Sequence, residues 1–313
     1  MGIVKAVCTS DRRGIQKTNV GSAELKEDFG ILTDAHAGNW HRQVSLLSAE
    51  KIEEFNRKGA EVTPGAFGEN LVVEGFDFGS LPVGTTFQCG EVVLEMTQIG
   101  KECHNHCQIY QKMGECIMPT QGVFARVVHG GILSVGDEMQ MIERADNRYT
   151  AAVMTLSDKG AKGEREDTSG PLICKMAEAA GYRVIERILL ADDQERIERE
   201  LVRLADQRQV NLILTTGGTG FAERDRTPEA TLAVATRNAP GIADAIRMYS
   251  LSVTGRAMLG RGVSVIRNKT VIVNLPGSEK AVKESLEYVL PYLEHGIQIL
   301  LGDAADCGSN HKK

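Results

Sequence analysis

Apolar positions recur along this chain in two different rhythms. In the first half, short apolar and β-branched runs cover residues 3–8, 44–47, 70–73, 86–89, 92–97 and 123–128. Between them stand Gly65, Gly68, Gly75, Gly79, Pro82, Gly84, Gly90, Gly130 and Gly131. Many short strands punctuated by turn residues predict a mostly-β barrel or sandwich. One amphipathic helix is predicted over 49–58, with Ser48 as its N-cap, and a last turn and strand over 135–142.

From Arg148 on, the period changes. Residues 151–156 form a continuous apolar run, as a strand covered on both faces requires. A polar, Gly-containing loop over 157–170 follows, and Pro171 opens a helix to Ala180. Strands are predicted at 183–190, 210–216 and 270–275, and helices at 193–208, 228–236, 241–253 and 279–293. Strand–helix alternation of this kind predicts an α/β three-layer sandwich with a mainly parallel sheet. The expected layout is a β-barrel domain over 1–142, a polar linker over 143–149, an α/β domain over 150–305 and a polar tail over 306–313.

The candidate chemistry of the second half sits where strands end. Thr216-Gly217-Gly218-Thr219-Gly220 follows a buried strand, the place where wound sheets bind ligands. Glycines let backbone amides approach phosphate oxygens, and the hydroxyls of Thr216 and Thr219 add donors. No Gly-Lys-Ser/Thr follows, so this is not a P-loop. Asp225 precedes Thr227-Pro228, where Thr227 can cap the next helix. Asp192 and Asp193 end the preceding strand; one is expected to be a helix cap and the other to be free for a metal. Two carboxylates beside a phosphate cradle suit Mg²⁺. Asn274-Leu275-Pro276-Gly277-Ser278 offers a helix terminus to an anion, with Lys280 just beyond.

In the first half, Lys101-Glu102-Cys103-His104-Asn105-His106-Cys107, with Cys116 downstream, admits a zinc site, a reactive thiol or small buried side chains. Lys17 and Arg42 can bind phosphate but are expected to be solvated surface, and His36 and Arg126 can face the same pocket.

Composition narrows the classes. The chain has 313 residues with 42% hydrophobic and 25% charged, enough for two cores. A net charge of −6 without a basic stripe excludes a general nucleic-acid binder. No run of about 18 apolar residues and no leader pattern occur, so no membrane association is expected. Seven unevenly spaced cysteines argue against a disulfide framework and for a cytoplasmic setting.

Four ordered motifs carry a resemblance. Ser157-Asp158 with Asp167-Thr168-Ser169-Gly170, Thr215-Thr216-Gly217-Gly218-Thr219-Gly220, Arg224-Asp225-Arg226-Thr227-Pro228-Glu229-Ala230 and Asn274-Leu275-Pro276-Gly277-Ser278 resemble molybdopterin adenylyltransferases of the MogA/MoaB type. That resemblance implies Mg²⁺, ATP and molybdopterin as ligands, Asp192 and Asp225 as the catalytic, metal-holding pair, and a trimer. Ser278 and Lys280 are expected to help hold the pterin end. The first half, through Ala35-His36-Ala37-Gly38, Arg42-Gln43-Val44-Ser45-Leu46-Leu47, Pro64-Gly65-Ala66-Phe67-Gly68-Glu69-Asn70-Leu71 and the spacing of Gln98 from Cys103, resembles a MOSC domain. It implies a β barrel that binds molybdenum cofactor or carries sulfur on Cys103, with Cys107 a rival. The second reading of the whole chain is a non-catalytic molybdopterin or molybdenum cofactor carrier.

Overall fold

The computed structural model of the protein describes residues 1–101 and 108–302. The chain divides into two compact units, Met1–Asp146 and Asn147–Lys313.

In the first unit seven strands close on themselves. They are β1 (Gly2–Thr9), β2 (Val44–Ser48), β3 (Leu71–Glu74), β4 (Thr86–Cys89), β5 (Val92–Ile99), β6 (Val123–His129) and β7 (Glu138–Ile142). The order around the barrel is β1-β3-β2-β6-β5-β4-β7, and Gly2 and Ile3 of β1 pair back to Met139 and Glu138 of β7. All neighbours are antiparallel except β2 and β3. Alternation sends Val4, Leu46, Val73, Leu94, Ala125 and Met139 into one core, where Phe76, Phe78 and Phe87 meet edge-on or tilted.

β2 is buried on both faces because α1 (Ala49–Arg57) covers its outer side, with Leu47 and Ile52 in a second cluster. Ser48 is the N-cap residue but does not cap with its side chain: its hydroxyl donates to Glu50 Oε2 at 2.6 Å. A small sheet of Ser22–Lys26, Gly30–Ile31 and Gly131–Ser134 is an addition to the predicted elements.

The second unit holds a six-stranded sheet. Its strands are β8 (Thr150–Leu156), β9 (Arg183–Leu190), β10 (Leu212–Thr216), β11 (Arg237–Asn238), β12 (Ser264–Arg267) and β13 (Thr270–Leu275), in the order β9-β8-β10-β13-β12-β11. The first four are parallel and β12 and β11 run antiparallel at one edge. Helices α2 (Ser169–Ala179), α5 (Pro240–Val253) and α6 (Glu279–Leu301) cover one face, and α3 (Gln194–Val202) and α4 (Thr227–Ala233) the other. The period-2 rule accounts for this: Ala151 and Val153 pack under α2 and α6, and Ala152 and Met154 under α3.

The helix expected over 193–208 ends its α-helical part at Val202 and continues as a π-helical turn, Arg203–Gln207, which buries Leu204. α6 runs further than predicted because Ile297, beyond the polar Glu294 and His295, still reaches the core. Among the described residues no helix is long and apolar enough to cross a membrane.

Candidate active site

The carboxyl ends of β8, β9, β10 and β13 bring four loops together. After β10 the chain turns through Gly217 (φ 94°) and Gly218 (φ 60°), conformations that side chains resist. Space forbids side chains as well. A Cβ on Gly217 would lie 2.1 Å from the Leu156 carbonyl oxygen, and one on Gly218 would lie 2.3 Å from Thr227 Oγ1 and 2.9 Å from Asp192 Oδ1. The Thr216 hydroxyl donates to the Pro276 carbonyl at 2.6 Å, which ties this turn to the next loop. Asn274 Nδ2 adds bonds to Thr215 Oγ1 and Thr231 Oγ1, each 2.9 Å. Thr227 does not cap α4: it is the helix's first residue, and its hydroxyl donates to the Gly217 carbonyl at 2.9 Å.

Asp193 is the N-cap of α3, accepting from the Arg196 amide at 2.8 Å. Asp192 is left to face the turn. Its Oδ2 accepts from the Asp158 amide at 3.0 Å, and its own amide donates to Asp158 Oδ1 at 3.1 Å. Asp192 Oδ1 is buried and has no hydrogen-bond partner. Across the turn, Asp225 Oδ2 accepts from the Ala222 amide at 2.9 Å and would stand 2.8 Å from a Cβ on Gly220. Burial raises the Asp192 carboxyl above its ordinary value, and the charges of Asp158 and Asp225 add to the rise. Asp158 moves the other way, held down by Arg224 Nε at 2.5 Å.

Two carboxylates that repel across a bare turn, one with an orphaned buried oxygen, are a donor set for a hard divalent cation completed by ligand oxygens. Among the described residues no group of three or more His, Cys, Asp or Glu could hold a metal ion.

The other predicted residues separate into two groups. Ser157 caps the turn Asp158–Ala161. Ser169 Oγ donates to the Gly277 carbonyl at 3.4 Å, and the Gly170 amide to Asp167 Oδ1 at 2.8 Å, which joins the 157–170 loop to the site. Thr219, Pro276 and Ser278 line a cavity of about 310 Å³ walled by Ile246, Val253 and Leu275. Lys280 does not join them: its side chain is 82% exposed beside Glu284 and lines no part of that cavity. Asp167 of the first motif accepts from Thr155 and Gly170, and Arg261, which lies outside the sequence motifs, grips the Asp225 loop. Arg261 carried a signal, since it stands between Gly260 and Gly262 just ahead of a strand.

Comparison with known proteins adds to this geometry. Residues 152–295 match the family described as a probable molybdopterin binding domain, and residues 33–140 match the MOSC domain. A molybdopterin adenylyltransferase of Helicobacter pylori strain J99 is 39% identical over 153 residues, covering 48% of this chain and 87% of that protein. That of Escherichia coli K12 is 41% identical over 145 residues, covering 46% and 74%. The chain belongs to the molybdopterin adenylyltransferase family. The molybdenum cofactor synthesis protein cinnamon of Drosophila melanogaster is 38% identical over 164 residues, 52% of this chain but 27% of that protein. The crystal structure of the molybdopterin biosynthesis enzyme MoaB from Thermus thermophilus has 43% identity, a TM-score of 0.47, and coverage of 49% of this chain and 97% of that one.

Cys103, His104, His106 and Cys107 lie outside the described residues. Lys17 is not solvated surface: Nζ meets Asp34 Oδ2 at 2.5 Å, with side chains 1% and 0% exposed. His36 Nδ1 lies 3.4 Å from Lys17 Nζ, while Arg42 stacks on Trp40 (4.7 Å) and Phe124 (5.6 Å). Arg126 is bound to Glu95 at 2.8 Å. Burial pushes the Glu69 carboxyl up to about 7, although the Gly65 and Phe67 amides both donate to it. Burial also pushes the Cys8 thiol up to about 12 and that of Cys89 up to about 11, which disfavours their thiolates.

Proposed function

We propose that the α/β unit transfers the adenylyl group of Mg²⁺-bound ATP to molybdopterin, and that the MOSC unit binds molybdenum cofactor or carries sulfur on Cys103. The observation that carries the first part is Asp192: a buried carboxylate oxygen with no partner, facing a glycine turn with Asp225 on its far side. A terminal phosphate oxygen of molybdopterin attacks the α-phosphorus. The bond from that phosphorus to the bridging oxygen of the β-phosphate breaks, and pyrophosphate leaves. Asp192 and Asp225 would hold the magnesium, which when bound would neutralise charge on the transferring group.

The chain's own residues position the reactants. Gly217, Gly218, Thr219 and Gly220 let phosphoryl oxygens approach the backbone. The cavity beside Thr219, Pro276 and Ser278, with apolar walls at Ile246, Val253 and Leu275, suits a heterocycle. Ser157, Asp158, Ser169, Gly170 and Gly277 belong to the loops tied to that turn and would contribute to ligand binding from there. A reducing cytoplasm suits the unbridged thiols of Cys8, Cys89 and Cys174 among the described residues. A trimer through the α/β unit is supported by the apolar side chains that α5 and α6 expose, Met248 and Tyr292 among them.

The test is molybdopterin-dependent pyrophosphate release from ATP. Asp225→Ala is expected to lower the rate roughly 100-fold or more with the circular dichroism spectrum unchanged. Near-normal turnover in that variant would overturn the assignment. Tight pterin binding with no pyrophosphate release from the unaltered protein would favour the carrier reading. For the MOSC unit, alkylation at pH 7 should label Cys103 faster than Cys8 or Cys174; equal rates would remove the basis for sulfur carriage.

A further inference from the structure

Asp225 sits on a loop whose own bonds are local. Its amide donates to the Ala222 carbonyl and its carboxylate accepts from the Ala222 amide, both at 2.9 Å. Residues 222–225 are therefore a closed turn, and something else must fix that turn relative to Asp192. The fixing contact comes from outside all four sequence motifs. Arg261 Nε donates to the Gly220 carbonyl at 2.7 Å, Nη2 to the Asp225 carbonyl, and Nη1 to Glu229 Oε1. Its backbone amide adds a bond to the Thr219 carbonyl at 3.0 Å. One side chain thus grips the glycine turn, the Asp225 loop and the first turn of α4 at once. A planar guanidinium can do this, whereas an ammonium has no such fork.

The segment that carries Arg261 is itself held from behind. Arg247 Nη2 donates to the Gly262 carbonyl at 3.0 Å, and Gly260 and Gly262 line the 310 Å³ cavity. Arg261 projects the other way, into a hollow of about 340 Å³ that it shares with Asp225 and Glu229. Gly260-Arg261-Gly262 is therefore the wall between the apolar cavity and the Asp225 loop.

We propose that Arg261, steadied by Glu229, is a positioning residue that sets Asp225 across the glycine turn from Asp192 and so tunes the grip of the pair on a divalent cation. This rests on the adenylyl-transfer reading. Arg261 touches the main chain around Asp225 and acts through it. Loss of the fork lets the 222–225 turn drift while the sheet stays intact, so the defect falls on cation binding.

The test is Mn²⁺ binding to the full chain with ATP present, followed by electron paramagnetic resonance, alongside pyrophosphate release over a Mg²⁺ titration. Arg261→Lys and, separately, Glu229→Gln are expected to weaken Mn²⁺ binding roughly tenfold. The Mg²⁺ needed for half-maximal rate should rise by the same factor, and the melting temperature should stay unchanged. With Asp225→Asn already in place, Arg261→Lys should weaken binding no further. Wild-type Mn²⁺ affinity in both single variants, or full additivity with Asp225→Asn, overturns the positioning role. If Arg261→Lys does not fold, Glu229→Gln alone decides. Normal turnover in Asp225→Ala overturns the adenylyl-transfer reading and this inference with it. Dependence on Asp225 without dependence on Arg261 or Glu229 overturns this inference alone.

Discussion

A buried carboxylate oxygen without a hydrogen bond is a standing cost to the folded state, and Asp192 Oδ1 is one. A carboxyl whose folded pKa is raised contributes its stability below the ordinary carboxylate range and loses it as pH rises through the shifted value. Asp192→Asn keeps a carbonyl oxygen for the Asp158 amide and removes the charge. It is therefore expected to stabilise the protein at pH 7 by up to about 1 kcal/mol while abolishing turnover. The gain should vanish as pH falls to about 4. Thermal melts of both proteins at the two pH values check this, and a lower melting point at both would sink the account of an unpaired charge. Single residues were also where the sequence was least legible. Nothing around Lys17 in the chain announces burial, because its partner Asp34 is brought to it only by the fold. Thr216 and Thr227 were recognisable as motif residues, but their hydroxyls are spent on the carbonyls of Pro276 and Gly217, contacts that need the tertiary structure to exist.

At the scale of elements the pattern was more readable. Arg183–Leu190 and Thr270–Leu275 are apolar or alternating runs bounded by turn residues, and both strands form where the sequence places them. The antiparallel edge was not legible. Arg237–Asn238 is too short to show any period, and Ser264–Arg267 becomes a strand by pairing with Thr270–Leu275. Ser22–Lys26 was missed for the same reason, since it pairs with Gly131–Ser134 far along the chain. Glycines in the loops were the best guides to the site. The turn at Gly217 and Gly218 is where no Cβ fits, and that is a property of one position that tertiary contacts do not erase.

For the whole molecule, two rhythms of hydrophobicity announced an all-β unit, barrel or sandwich, followed by a wound sheet; the resemblance to MOSC domains chose the barrel, and the strands close into one. Assembly is a separate question. Tyr249 of α5 stacks on Tyr288 of α6 at 4.7 Å, and beside them Met248 and Tyr292 are 72% and 74% exposed. If this face builds the proposed trimer, Met248→Glu and Tyr292→Glu should each reduce the mass found by light scattering to that of one chain. An unaltered trimer in both variants would place the interface elsewhere, and a monomeric parent protein would remove the proposal.

The closure of β1 onto β7 has a consequence for synthesis. Gly2 and Ile3 leave the ribosome long before their partners Met139 and Glu138, which emerge among the last residues of the unit. The seam cannot be sewn until almost the entire barrel has been translated, and such long-range pairing is slow. A nascent chain arrested short of residue 138 retains β1 and β4 as two open edges, each a template for a neighbouring polypeptide. Translational pausing inside that window is therefore where this protein is most exposed to aggregation.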